Sequence, residues 1–232
     1  QRLLAESEDE TMSEAVSNPT GPVLVGYDGS AGAKRALDVA AALADSMRAP
    51  LRILFAQGPI PAELDATPAL REAVDKLAHE ASTRVQQNHP ALAVSTQIEW
   101  GAARKALLEA SRDARVTVVG HRGHGPLKSV LLGSVSGAVA AHAEGPVLVV
   151  PDRDPNDTGT VVVGVDGSEE SLHAARYAIA FADGRPVTLL HAWQPLATTH
   201  PALGPYGAMV MTDPESDEAE HRALLDKLVE RI

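Results

Sequence analysis

The segment VLVGYDGSAGAKRALDVAAALAD at residues 23–45 returns as VVVGVDGSEESLHAARYAIAFAD at residues 161–183. No other feature constrains the fold as much. Each copy is an unbroken apolar, β-branched run, then Gly-x-Asp-Gly-Ser, then an alanine-rich helical pattern. An apolar run without alternation fits a strand buried on both faces, hence a parallel sheet covered by helices. Ser30 and Ser168 stand where a helix N-cap belongs. A second apolar run follows each helix, PLRILFAQ at 50–57 and PVTLLHAW at 186–193. Strand, helix, strand therefore occurs twice.

The first copy goes on. Residues 59–67 read as a loop of proline and small residues, 68–87 as a long helix, and 91–100 as a strand. A short helix at 104–112, a buried strand at 115–120, a helix at 134–142 and a last strand at 145–151 complete it. This alternation predicts an α/β fold, a doubly wound five-stranded parallel sheet, over residues 20–151. Residues 1–19 form an acidic, polar extension, expected to be flexible, without the basic-then-apolar order of a secretion signal. Residues 152–159 read as a polar linker. The second copy, 160–232, has no counterpart of residues 91–151 and corresponds to the first half of such a domain, ending inside its second helix. The acidic run DPESDEAE at 213–220 is expected to enrich that helix's N-terminus in negative charge.

Composition narrows the function. Aromatic residues make up 3% of the 232, so the core must be built from alanine, valine and leucine. There is no cysteine, which excludes disulfides, thiolate metal sites and cysteine nucleophiles and fits a cytoplasmic location. No stretch has the length of a membrane span. A net charge of −11 without a basic stripe argues against nucleic acid and anionic membranes as partners. An anionic ligand would have to be held by local backbone donors.

Such donors are expected at GHRGHGPLKSVLLGSVSG, residues 120–137, where glycines are spaced Gly120-x2-Gly123-x9-Gly133-Ser134. In a parallel sheet, ligands bind beyond the carboxyl ends of the strands. The Asp28 turn and the Gly120 turn both lie there. Gly120 and Gly123 would let the chain pass close to a ligand, while Gly133, Ser134 and Val135 open a helix whose free N–H groups suit a phosphate. The hydroxyls of Ser134 and Ser136 could donate further bonds. There is no Gly-x4-Gly-Lys-(Ser/Thr) loop and no Gly-x-Gly-x-x-Gly after a strand. GYDGS offers one acid where a phosphate-receiver domain needs a pair.

Residues 20–151 resemble a universal stress protein domain of the nucleotide-binding type, on the Gly-x2-Gly-x9-Gly-Ser spacing and on Asp28 at the end of the first strand. The whole chain resembles a tandem member with an incomplete second domain. The resemblance implies a sheet ordered 3-2-1-4-5, of the HUP or adenine nucleotide alpha hydrolase-like class, with ATP at its carboxyl edge. It places Asp28 on ribose and on a magnesium ion carried by ATP, within a turn formed by Gly26, Tyr27, Asp28, Gly29 and Ser30. The main chain of Ala56 would meet adenine. Gly120 and the backbone of His121 and Arg122 would line ribose and α-phosphate, and Gly123, Gly133, Ser134, Val135 and Ser136 would hold the phosphates. Asp166, Gly167, Ser168 and Ala192 match the first half of a second site.

The function implied is a stress or regulatory protein working through nucleotide-dependent conformation or assembly, as a homodimer or larger. Alternatives are a slow ATPase or adenylate-handling hydrolase, and a dimeric scaffold without nucleotide. No general base, nucleophile or metal cluster stands out around the phosphates. His121, Arg122 and His124 read as polar loop residues near the ligand, since His-x2-His lacks a third metal ligand. Lys128 reads as solvated, His191 as a core histidine bonded to backbone, and Asp28 as a turn-capping residue as well as a ligand contact.

Overall fold

The computed structural model describes residues 20–58, 68–121, 132–152, 160–182, 184–193 and 214–232. The expected extension at 1–19, the loop at 59–67 and the linker beyond Asp152 lie outside these. So do Arg122, Gly123, His124 and Lys128. The chain divides into two compact units, Gln1–Pro155 and Asn156–Ile232.

In the first unit β1 (Val23–Gly26) leads into α1 (Ala31–Ser46), followed by β2 (Leu51–Gln57) and α2 (Pro68–Asn88). Then come β3 (Val94–Trp100), α3 (Ala103–Ser111), β4 (Val116–Gly120), α4 (Ser134–His142) and β5 (Val147–Val150). The strands form one parallel sheet in the order β3-β2-β1-β4-β5, as the resemblance implies. Val23, Leu24 and Val25 are fully buried, as a central strand covered on both faces requires.

Helix α1 starts because the Ser30 hydroxyl accepts the Ala33 N–H at 3.2 Å, satisfying one of the orphan donors of the first turn. Its buried stripe, Ala33, Ala36, Leu37, Ala40, Ala41 and Ala44, keeps helical spacing and lets helix and sheet approach closely with few aromatics. Helix α2 begins at a proline, the residue best suited to a first helical position. It buries Val74, Ala78, Ala81 and Val85, and Arg84 holds Asp38 of α1 through two bonds of 2.7 Å. On the other face Leu24, Leu54 and Val119 of the sheet pack with Leu107 and Ala110 of α3 and Val139 of α4.

Several strand limits differ from the sequence reading. β3 begins at Val94 rather than 91, because the Leu92 N–H turns back to the His89 carbonyl at 3.1 Å. β5 runs only from Val147 to Val150, bounded by Pro146 and Pro151.

The second unit holds β6 (Val161–Gly164), α5 (Glu169–Phe181), β7 (Val187–Leu190) and α6 (Pro214–Arg231). Its strands pair in parallel. Both helices cover one face, through Val163, Leu172, Ala175 and Leu228. On the opposite face Val162 and Leu190 are 59% and 56% exposed, whereas Leu24 and Leu54, their equivalents in the repeat, are buried. Residues 214–220 of the acidic run occupy the first turns of α6, as expected, and Glu218 pairs with Arg222 one turn on.

Candidate functional site

β1 and β4 lie side by side, with Val25 opposite Val118, so the turns after them open at the same edge. The β1 turn is shaped by Asp28, whose Oδ1 accepts the Ser30 N–H at 2.9 Å. The carboxylate thereby orients the turn that feeds the α1 cap. Gly29 takes φ +81°, beside Leu77, in the left-handed region that favours glycine. Gly26 closes the strand. The Tyr27 ring is 6% exposed and meets Phe55 edge-on at 5.5 Å, and burial raises its pKa. Tyr27 therefore gives its side chain to the core and only main chain to the crevice.

β2 outruns β1. The ladder between them ends where Tyr27 N–H meets the Leu54 carbonyl at 2.9 Å. In a parallel pair alternate residues present their amide groups to the same neighbour. Ala56, the next residue facing that side, lies beyond the last rung, at the mouth of the crevice. Its methyl packs against the Leu24–Leu54 core.

Gly120 ends β4 against the start of α1. A Cβ there would sit 2.9 Å from the Gly32 carbonyl carbon and 3.2 Å from Ala33 N, so a side chain does not fit. His121 follows, its N–H bonded to the Val150 carbonyl at 2.8 Å and its own carbonyl accepting the Gly133 N–H at 3.0 Å. That bond brings the start of α4 back to the end of β4.

Gly133 is the N-cap of α4, with φ −65° and ψ 161° and no side-chain cap. Those angles suit any residue, so conformation does not demand glycine. What glycine provides is access. The first-turn amides of Ser134, Val135 and Ser136 have no acceptor within the helix, and the positive end of the dipole lies with them. Ser134 is exposed. Ser136 departs from expectation: it is 4% exposed and its hydroxyl donates inward, 3.0 Å from the His121 carbonyl and 3.1 Å from that of Gly133. Its hydroxyl ties the start of α4 to the end of β4, leaving only its amide for a ligand.

The family model described as the universal stress protein family matches residues 20–151 and 158–231. The chain belongs to the universal stress protein family. A universal stress protein of Mycolicibacterium smegmatis is 32% identical over 218 residues, which is 88% of this chain and 71% of that protein. One of Mycobacterium tuberculosis strain ATCC 25618 / H37Rv is 37% identical over 123 residues, covering 50% of this chain and only 38% of that protein. A universal stress protein solved in complex with cAMP is 30% identical, with a TM-score of 0.46 over 56% of this chain and 97% of that one.

The second repeat rebuilds the first turn. Gly167 has φ +90° beside Leu224, and Asp166 Oδ1 accepts the Ser168 hydroxyl at 2.6 Å and its N–H at 3.0 Å. The hydroxyl bond, then the amide, then the Ser171 side chain hold the Asp166 carboxyl at about 2, below its ordinary 3.8. A carboxyl depressed in the folded state stabilises it above the ordinary value and ceases to do so as pH falls. Acid unfolding of the second unit, read by Trp193 fluorescence with Trp100 replaced by phenylalanine, should therefore steepen between pH 4 and pH 2. Asp166→Asn should remove that dependence, and an identical acid profile in the variant would contradict it.

His191 is bonded to backbone as expected, Nδ1 lying 2.7 Å from the Val165 carbonyl. No local pattern announces its second contact, Nε2 at 3.0 Å from His221 Nδ1, nor the stacking of Trp193 on His221 at 4.6 Å. His191 and His221 lie 30 residues apart. Among the described residues no group of three or more His, Cys, Asp or Glu could hold a metal ion.

Proposed function

We propose that this universal stress protein binds an adenine nucleotide, ATP, across the carboxyl ends of β1 and β4, and works as a stress-response or regulatory protein through the conformation or assembly that occupancy favours. The observation that carries this reading is the opening of α4: an uncapped helix N-terminus behind a glycine whose backbone angles do not require glycine. Anionic oxygens are what such an end attracts. Adenine would meet the main chain of Ala56. Ribose would lie on Asp28 and the Gly120–His121 backbone, and the phosphates on the amides of Ser134, Val135 and Ser136. Asp28 is also the hard oxygen donor that a magnesium ion arriving on the nucleotide would take, since Mg²⁺ is commonly held by one or two carboxylates together with substrate phosphates.

Calorimetric titration with ATP tests the reading, and the expected result is saturable one-site binding without phosphate release. Steady release of phosphate would favour a slow hydrolase instead. Asp28→Ala should weaken ATP about ten- to a hundredfold, the size of a charge-assisted hydrogen bond to ribose. If only the melting temperature falls and the folded fraction binds as before, Asp28 is a turn residue alone.

The proposed setting is cytoplasmic, and among the described residues no helix is long and apolar enough to cross a membrane. Assembly belongs to the same proposal. β5 ends the sheet, with Leu148 38% exposed at its centre, and a short apolar edge strand readily pairs with another. Light scattering should show a dimer or larger species, and Val149→Pro should shift it to monomer or aggregate, since the Pro146 and Val150 carbonyls face β4 and alternation turns the Val149 N–H to the free edge. A parent that stays monomeric at high concentration contradicts this.

A further inference from the structure

Three residues from separate elements meet at the neck of the glycine-rich loop. Arg35 of α1 donates from Nη2 to Asp152 Oδ1 at 2.7 Å. The second carboxylate oxygen, Oδ2, lies 3.7 Å from His121 Nδ1. That nitrogen and Arg35 Nε are both buried without a hydrogen-bond partner among the described residues. His121 is itself held by its main chain, through the bonds to Val150, Gly133 and Ser136 described above. It therefore joins the end of β4, the end of β5 and the start of α4.

We infer that Asp152 is a positioning residue of the crevice: it holds His121 as the Nδ1–H tautomer, and through His121 it sets the neck from which α4 opens. The inference concerns this chain's own contacts, and its bearing on nucleotide rests on the proposed function. A buried imidazole lone pair facing a carboxylate is repelled, whereas an N–H in that place is attracted, and the bond a ring nitrogen can make selects the tautomer. A movement of about 0.7 Å closes the 3.7 Å separation to hydrogen-bond length. The Arg35 guanidinium fixes the carboxylate for it. Because the His121 carbonyl also holds Gly133 N–H and the Ser136 hydroxyl, a tilt of His121 changes where the first amides of α4 point. Misplacement on the order of 1 Å is costly in a binding site.

Three readouts on the full chain decide this. Long-range proton–nitrogen NMR of the histidine rings reads the tautomer, amide exchange at Gly133 reads the neck, and ATP titration reads the crevice. The parent should show Nδ1–H at His121. Asp152→Ala should convert it to Nε2–H, speed Gly133 exchange about three- to tenfold and weaken ATP by a similar factor. Asp152→Asn, which keeps an acceptor oxygen, should retain the Nδ1–H tautomer. Asp152→Ala with an unchanged tautomer or unchanged Gly133 exchange overturns the inference, and so does ATP affinity equal to that of a parent that binds. A parent that binds no ATP defeats the functional reading instead, and the tautomer and exchange measurements still decide the Asp152 contact.

Discussion

Gly133→Glu is expected to abolish ATP binding while leaving the first unit as stable as before, or slightly more so. The two effects have opposite signs because the same charge acts on two partners. At the N-terminus of α4 a carboxylate complements the helix dipole, worth about 0.3–1 kcal/mol, and φ −65° with ψ 161° accepts the larger residue. Toward a phosphate the same carboxylate is a like charge standing in the path of approach. Micromolar binding corresponds to roughly −8 kcal/mol, and loss of the phosphate contacts together with repulsion should remove most of it. Calorimetry and urea unfolding on one sample separate the effects. Unchanged affinity in a folded variant would sink the phosphate assignment at Ser134–Ser136.

The second large effect is structural and sits on the opposite wall. Gly120→Val should destabilise the first unit by about 1–3 kcal/mol, the range for overpacking a closed core. The atoms that a Cβ would meet are backbone atoms of Gly32 and Ala33, which cannot swing aside as a flexible side chain would. Separation would have to come from moving β4 or α1, and with them the crevice. Two compact units need not unfold together, and the chain's two tryptophans, Trp100 and Trp193, fall one in each. With Trp193 replaced by phenylalanine, the urea midpoint reported by Trp100 should fall. With Trp100 replaced instead, the midpoint reported by Trp193 should stay where it was. Equal Trp100 midpoints for parent and Gly120→Val would mean that β4 and α1 do not approach as described.

Much of the fold was legible because it is locally encoded. The apolar runs at Val23 and Val116 carry no alternation, so they read as doubly covered strands. Ser30 and Ser168 announce their helices, and the repeat marks the second strand, helix and strand, β6 to β7. Strand limits were less legible where a single backbone bond decides them, as at Leu92. In the candidate site the Asp28 turn and the open start of α4 were legible for the same local reasons. Tyr27 was not, because its place in the turn says nothing of a ring that packs onto Phe55. Nor was Ser136, one helical turn beyond Gly133, whose hydroxyl turns back to the His121 carbonyl. Arg35 and Asp152 lie 117 residues apart, and no local pattern links them; only the sheet order, which sets β5 beside β4, brings Asp152 to His121.

The measurement that bears most directly on the nucleotide assignment is amide chemical-shift mapping of the ¹⁵N-labelled chain titrated with ATP and magnesium. The expected result is saturable change concentrated at Ser134, Val135 and Ser136, at Gly120 and His121, and at Asp28 through Ser30, with Ala56 marking the adenine end. Saturable change confined to the second unit, or none at these amides at millimolar ATP, would contradict it.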